Sequence, residues 1–581
     1  MKKILSGNEA IARGAYEYGV HVATAYPGTP STEILENVGK HYPEIACEWS
    51  PNEKVALEVA AGATFVGARA LCAMKHVGVN VAAAPLFSMA YIGARGGFVV
   101  ISADDPGMHS SQNEQDNRHF ARHAKIPCFE PADSQDCKDF VGAALEISER
   151  FDTPVLLRTT TRVNHSASVV ELGERNAAPP KGYVKDVAKN VTLPGNARKA
   201  HVKVEKRLDD LAVYGSDCPW NRVEMGSTAI GVVTSGISYQ YVKEVLPEAS
   251  VLKLGLTYPL PERLIRDFAG KVEKLYVVEE LDPLLETEIK AMGIACEGKT
   301  IIPELYELNP NIVAQSFGKK LYADRLSLPA DTKVPARPPV LCPGCPHRSV
   351  FFALKKARVV VTGDIGCYTL GAMAPLGQID TCVCMGASIG VSHGMQLAMG
   401  REKWHGKSVA VIGDSTFLHS GIQPLMDVVY NKGTTTLVIL DNSITAMTGH
   451  QDNPATGKNI RGEPTPQVDL EQLCHAIGVR HVKVVDALDN DAVEKAIKEA
   501  IALPEPAVVI ARSPCIFVDD RERTPWQIDE GACNSCGACM RIGCPGIAKT
   551  DEGKFLIDQG LCTDCGLCSQ VCRSEAIHHA K

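Results

Sequence analysis

The chain has 581 residues, 45% of them hydrophobic and 22% charged, with a formal net charge of −8. At roughly 150 residues per domain, this length allows about four domains, each with its own core. The mildly acidic balance gives no footprint for nucleic acid, and no apolar run reaches the roughly 18 residues needed to span a bilayer.

The N-terminus, Met1-Lys2-Lys3-Ile4-Leu5-Ser6-Gly7, lacks the apolar stretch of a signal peptide, so a cytoplasmic protein is expected. Apolar runs at 97–103, 154–158, 228–234, 274–279, 408–413, 435–441 and 506–511 alternate with helix-like segments. Such runs suit strands buried on both faces, which means parallel sheets with helices on either side.

Three early segments carry distinctive residues. Ala25-Tyr26-Pro27-Gly28-Thr29-Pro30-Ser31-Thr32 reads as a turn with Ser31 or Thr32 at a helix N-cap. Asn52-Glu53-Lys54-Val55-Ala56-Leu57-Glu58 opens a helix that carries two glutamates. Ile92-Gly93-Ala94-Arg95-Gly96-Gly97 is a glycine-bearing turn ahead of a strand. Residues 170–225 are polar and read as a linker, and 327–346 are proline-rich and read as a second.

Beyond the second linker lies Cys342-Pro343-Gly344-Cys345-Pro346-His347-Arg348, whose C-x-x-C alone fits a redox dithiol or half a zinc site. The strand at 409–412 ends in Gly413-Asp414-Ser415, and the strand at 437–440 ends in Asp441-Asn442-Ser443-Ile444. This spacing follows the thiamine-diphosphate pattern of Gly-Asp-Gly, 25–30 residues, then Asn, with Ser415 in place of the second glycine. A loop at the end of a parallel strand can receive a diphosphate. Asp414, Asn442 and the Ile444 carbonyl offer the hard oxygens that Mg²⁺ requires.

Eight of the 21 cysteines fall between Cys533 and Cys572. They form two copies of C-x-x-C-x-x-C with a fourth cysteine following, offset by 29 residues. The fourth cysteine of each run is too distant for its own cubane and ligates the other. One 4Fe–4S cluster is therefore expected on Cys533, Cys536, Cys539 and Cys572, and another on Cys562, Cys565, Cys568 and Cys544. Zinc sites take four ligands in pairs, and triplets plus singles do not fit that pattern.

Taken together, these segments resemble the thiamine-diphosphate-dependent 2-oxoacid:ferredoxin oxidoreductases, in the indolepyruvate branch, over essentially the whole chain. The resemblance implies that Thr29 touches substrate, that Glu53 (with Glu58 as rival) activates the cofactor, and that Arg95 grips a substrate carboxylate. It adds a third, proximal cluster on Cys342, Cys345, Cys367 and Cys515. It implies several doubly wound α/β domains of the thiamine-diphosphate-binding fold and a small α+β two-cluster ferredoxin domain. Their expected bounds are 1–170 (pyrimidine type), 171–330 (linker and transketolase C-terminal-like domain), 331–522 (diphosphate and Mg²⁺) and 523–581 (ferredoxin type). The implied reaction is oxidative decarboxylation of an aryl 2-oxo acid with coenzyme A, giving an aryl-acetyl-CoA and CO₂ and passing electrons to ferredoxin. Alternatives are pyruvate or a branched-chain 2-oxo acid as substrate, a non-oxidative thiamine-dependent decarboxylase, or a pure electron carrier. A smaller beta subunit carrying the gamma-type domain, assembled as a dimer of heterodimers, is the implied partner.

Overall fold

A computed structural model describes residues 1–320, 331–335 and 337–580. The expected linker at 327–346 and the expected boundary at 330/331 fall partly on residues outside that set. The chain divides into two compact units, Met1–Thr332 and Lys333–Lys581. Among the described residues, no helix is long and apolar enough to cross a membrane.

In the first unit, a seven-stranded sheet runs in the order Leu256–Tyr258, Cys128–Phe129, Val155–Thr160, Phe98–Asp104, Ala70–Lys75, Val22–Ala25, Ala46–Trp49. All neighbours are parallel except the first pair. Strands Ala70–Lys75 and Phe98–Asp104 are buried along their whole length, as uniformly apolar runs require. Helix Glu53–Phe65 packs on strands Val22–Ala25 and Ala70–Lys75. Asn52 starts that helix, its side chain accepting from the Val55 amide.

A four-stranded sheet, Leu275–Val278, Ser227–Ser235, Ala249–Leu254 and Arg222–Glu224, belongs to the same unit. The boundary expected at 170/171 is not a break in the fold, because strand Leu256–Tyr258 crosses over to extend the seven-stranded sheet. Residues 170–225 are also more than a linker. They include the 24-residue helix Pro194–Asp217, which buries Val204, Arg207, Leu211 and Gly215 along one stripe and leaves its charged faces in solvent. A buried charge network ties the two sheets together. Arg118 bonds Glu279 at 2.6 Å and the Glu280 carbonyl at 3.0 Å, while Arg158 bonds Asp104 at 2.8 Å and Glu130 at 2.6 Å.

In the second unit, six parallel strands run in the order Thr381–Cys382, Val360–Gly363, Ser408–Gly413, Thr436–Asp441, Ala507–Arg512, His481–Asp486. The tail adds two short hairpin-like pairs, Trp526–Ile528 with Ile577–His579 and Ile547–Lys549 with Phe555–Ile557. The tail packs on the sheet domain within this unit. Asn490 at the start of helix Asn490–Ala502 bonds the Leu567 carbonyl and the Gln570 side chain.

The network around Arg118 gives a direct expectation. Arg118→Met takes the guanidinium from Asp116 and Glu279, leaving Glu279 only the Leu285 and Glu286 amides and Asp116 the residue-118 amide and Arg158 at 3.9 Å, and should destabilise the protein by about 3–5 kcal/mol. A fall in the urea midpoint reads this out, and an unchanged midpoint would show that the pairing carries no net stability.

Candidate functional site

All six strands of the large sheet in the second unit point the same way, so their carboxyl ends share one edge. Asp414, Asn442 and Cys515 follow three adjacent strands there. Asp414 is buried. Its Oδ1 accepts from the Ser415 amide at 2.8 Å, and its Oδ2 has no hydrogen-bond partner. Burial, reinforced by Asp441, pushes this carboxyl up to about 8. The Asn442 carboxamide lies 3.2 Å from Asp414 Oδ1 and 3.0 Å from the Ile444 carbonyl. With its nitrogen turned inward it donates to both; with its oxygen turned inward, three oxygens converge. Adjacent ligands of an octahedral Mg²⁺ stand about 2.9 Å apart, so the three groups fit a hard cation, which would also satisfy the stranded Asp414 oxygen. Ser415 needs no glycine-like backbone, since Asp414–Thr416 is a right-handed helical turn, and its hydroxyl accepts from Thr445 at 2.9 Å.

Cys515 sits against this site. Its amide donates to the Asn442 carbonyl at 2.9 Å. Burial pushes the thiols of Cys345 and Cys367 up, to about 12 and about 11; Cys342 adds to both, and Cys515 adds to Cys367. Burial likewise raises Cys515, with contributions from Cys342 and Asp414. The structure thus brings Cys342, Cys345, Cys367 and Cys515 together beside Asp414.

In the tail, burial raises Cys539, and Cys533 and Cys572 add to it. Burial pushes Cys565 up to about 11 and Cys568 up to about 12, and Cys544 and Cys562 act on both. Cys572 therefore lies near Cys533 and Cys539, and Cys544 near Cys562, Cys565 and Cys568. Cys536 lies exposed on the first loop. Among the described residues no three cysteine sulfurs lie within 4.8 Å of one another.

In the first unit, Glu53 is buried at the start of its helix, against Gly78. A Cβ at Gly78 would come within 2.6 Å of Glu53 Cγ. Glu58 is exposed and paired with Lys54. Thr29 follows strand Val22–Ala25 at the same carboxyl edge, where Gly28 packs on Lys75. Arg95 is a correction. It precedes strand Phe98–Asp104 and so lies at the opposite edge of the parallel sheet, donating to the Gly182 carbonyl at 2.6 Å. A cation that does lie at the carboxyl edge is Lys75, which ends its strand against Gly28 and which sequence reasoning missed. Its ammonium donates to the Ser110 carbonyl at 2.7 Å, and burial pulls it down to about 8, partly offset by Asp105.

Comparison with known proteins agrees with this layout. Residues 13–199 match the family "Pyruvate flavodoxin/ferredoxin oxidoreductase, thiamine diP-bdg", 364–511 match "Thiamine pyrophosphate enzyme, C-terminal TPP binding domain", and 555–578 match "4Fe-4S binding domain". The indolepyruvate oxidoreductase subunit IorA of Archaeoglobus fulgidus is 42% identical, over 100% of this chain and 98% of its own. The chain belongs to the IorA family. The IorA proteins of Methanothermobacter thermautotrophicus (41% identical, over 99% of this chain and 97% of that one) and Thermococcus kodakarensis (39%, over 95% and 93%) extend the same match. As an IorA-family member this chain is an enzyme of the 2-oxoacid:ferredoxin oxidoreductase family, with thiamine-diphosphate-binding domains and a 4Fe–4S domain.

Gly78 tests the Glu53 setting. Gly78→Ala should displace the Glu53 carboxyl and cut turnover by about 10²-fold. Gly62→Ala, in the same helix as Glu53 with open space at its Cβ, should leave turnover unchanged and add up to about 1 kcal/mol of stability. Equal turnover in both variants would release Glu53 from any positional demand.

Proposed function

We propose that the protein catalyses the coenzyme A-dependent oxidative decarboxylation of aryl 2-oxo acids, indolepyruvate foremost, giving an aryl-acetyl-CoA, CO₂, a proton and two electrons that leave through 4Fe–4S clusters to ferredoxin. The observation that carries this reading is the adjacency of two sites in the second unit. A convergent set of hard oxygens, Asp414, Asn442 and the Ile444 carbonyl, lies one hydrogen bond from Cys515. A non-oxidative decarboxylase has no use for thiols at that point, and a pure electron carrier has none for a cation site.

Thiamine diphosphate, when bound, supplies a nucleophilic carbon and a sink for the electrons released on decarboxylation. Asp414, Asn442 and Ile444 hold Mg²⁺, with Gly413 and Ser415 shaping the turn that meets the diphosphate. Glu53, fixed against Gly78, holds a proton toward the aminopyrimidine. Thr29 donates to the substrate, and Lys75 faces its carboxylate in place of Arg95. Cys342, Cys345, Cys367 and Cys515 hold the proximal cluster. Cys533, Cys536, Cys539 and Cys572 hold one tail cluster, and Cys562, Cys565, Cys568 and Cys544 the other. The four-part division at 170, 330 and 522 describes these functions in chain order. The names of the relatives support a partner subunit. We assign that role to a smaller beta subunit with the gamma-type domain, in a dimer of heterodimers acting in the cytoplasm.

Two measurements test this reading. Indolepyruvate and coenzyme A should together reduce a viologen dye, and Glu53→Gln should slow that reduction by about 10²–10⁴-fold while dithionite still reduces the clusters. A wild-type enzyme inert with indolepyruvate, pyruvate and branched-chain 2-oxo acids alike would contradict it. Lys75 is charged below its pKa of about 8, so KM should rise as pH passes that value, and Lys75→Arg should abolish the rise. A KM indifferent to Lys75→Arg across that range would remove Lys75 from the substrate site.

A further inference from the structure

Arg348 lies within the second unit and is 2% exposed. Its partners are main-chain carbonyls from two separate loops. It donates to Leu341 and, at 3.0–3.2 Å, to Cys342 on the proximal loop. It donates also to Gly543 and, at 3.3 Å, to Ile542 on the loop that leads into Cys544. Among the described residues it forms no ion pair with an aspartate or glutamate. A guanidinium buried without a carboxylate is costly unless another anion faces it. Burial disfavours its charge, and the groups that partly offset this are the thiols of Cys345, Cys544, Cys565 and Cys342. These belong to the proximal set and to one tail set, and none belongs to Cys533, Cys536, Cys539 and Cys572. The proximal loop also meets a second loop of that tail set, since a Cβ on Gly344 would collide with the Thr563 hydroxyl beside Cys562.

We propose that Arg348 is a positioning residue that couples the proximal cysteine set to the tail set Cys544, Cys562, Cys565 and Cys568, its fixed positive charge favouring the reduced form of both. The proposal rests on the reading that these sets hold clusters. Each cluster is anionic and gains negative charge on reduction, so a guanidinium held between two of them stabilises the added electron in either place. In the transfer, one electron leaves the proximal site and one arrives at the tail site. No bond or proton moves, because the guanidinium keeps its proton throughout. The same five-donor fork pins the two loops at a constant separation, which a point charge on a flexible stem would not do.

The test is a potentiometric titration with EPR detection on the full chain, purified anaerobically with the subunit that accompanies it, with iron counted in parallel. Arg348→Gln and Arg348→Met remove the charge, and Arg348→Lys keeps it. In the neutral variants, two of the three cluster signals should become about tenfold harder to reduce at a fixed potential, which is about 59 mV for one electron. The third signal should not move, and Arg348→Lys should recover most of the shift. A neutral variant with full iron and wild-type signals overturns the proposal, as does an equal shift of all three. Iron lost from every neutral variant makes Arg348 a scaffold residue and overturns it too. A wild-type protein with only two cluster signals overturns the three-cluster reading itself, and this proposal with it.

Discussion

A strand buried on both faces carries a polar side chain only where a buried partner meets it, as Asp104 meets Arg158, so groups that must reach a ligand gather past its last residue. In parallel sheets every carboxyl end lies at the same edge, and the polar residues that follow each strand gather there. This constraint organises both units. In the second, Asp414, Asn442 and Cys515 each come just after a strand that is apolar and buried. Asp364 follows another, where it accepts from the Gly386 and Ser388 amides and fixes the start of helix Ala387–Met399. In the first unit, Thr29, Glu53 and Lys75 follow or end their strands in the same way.

The same rule explains why a candidate cation site and a cysteine set occur side by side. Strands Thr436–Asp441 and Ala507–Arg512 are neighbours in register, so their following loops meet. One carries the oxygens of Asn442 and Ile444, and the other carries Cys515, the fourth proximal thiol. The burial that drives Asp414 and these thiols toward their neutral forms is the state a metal reverses, since bound metal stabilises carboxylate and thiolate together. Burial without a hydrogen-bond partner at Asp414 Oδ2 is a property of the fold that a cation would complete.

Much of this was legible in the sequence. The apolar runs at 408–413, 435–441 and 506–511 fall on observed strands to within a residue. The 29-residue repeat pointed to interleaved tail sets because ligand spacing is local chemistry, and the fold sets Cys572 near Cys539 and Cys544 near Cys565. Arg95 was not legible. A lone arginine near a glycine turn looks the same at either end of a strand, and only the strand's direction puts it at the far edge. Lys75 was missed because it closes an apolar run and reads as part of the strand. The helix Pro194–Asp217 read as linker because its buried stripe is narrow and the rest of its surface is charged. Arg348 was visible within its motif, but two of its carbonyl partners, Ile542 and Gly543, lie nearly two hundred residues downstream. Cys382 and Cys384 are exposed at the same carboxyl edge as Asp364, and the structure gives them no partner role.

The central claim is that one chain holds a thiamine-diphosphate site wired to three clusters. The most direct measurement is the iron and thiamine diphosphate content of the anaerobically purified protein with its accompanying subunit. This account expects about twelve iron atoms and one thiamine diphosphate per chain. About eight iron atoms would remove the cluster at Cys342, Cys345, Cys367 and Cys515, and iron without thiamine diphosphate, even after reconstitution with Mg²⁺, would contradict the account as a whole.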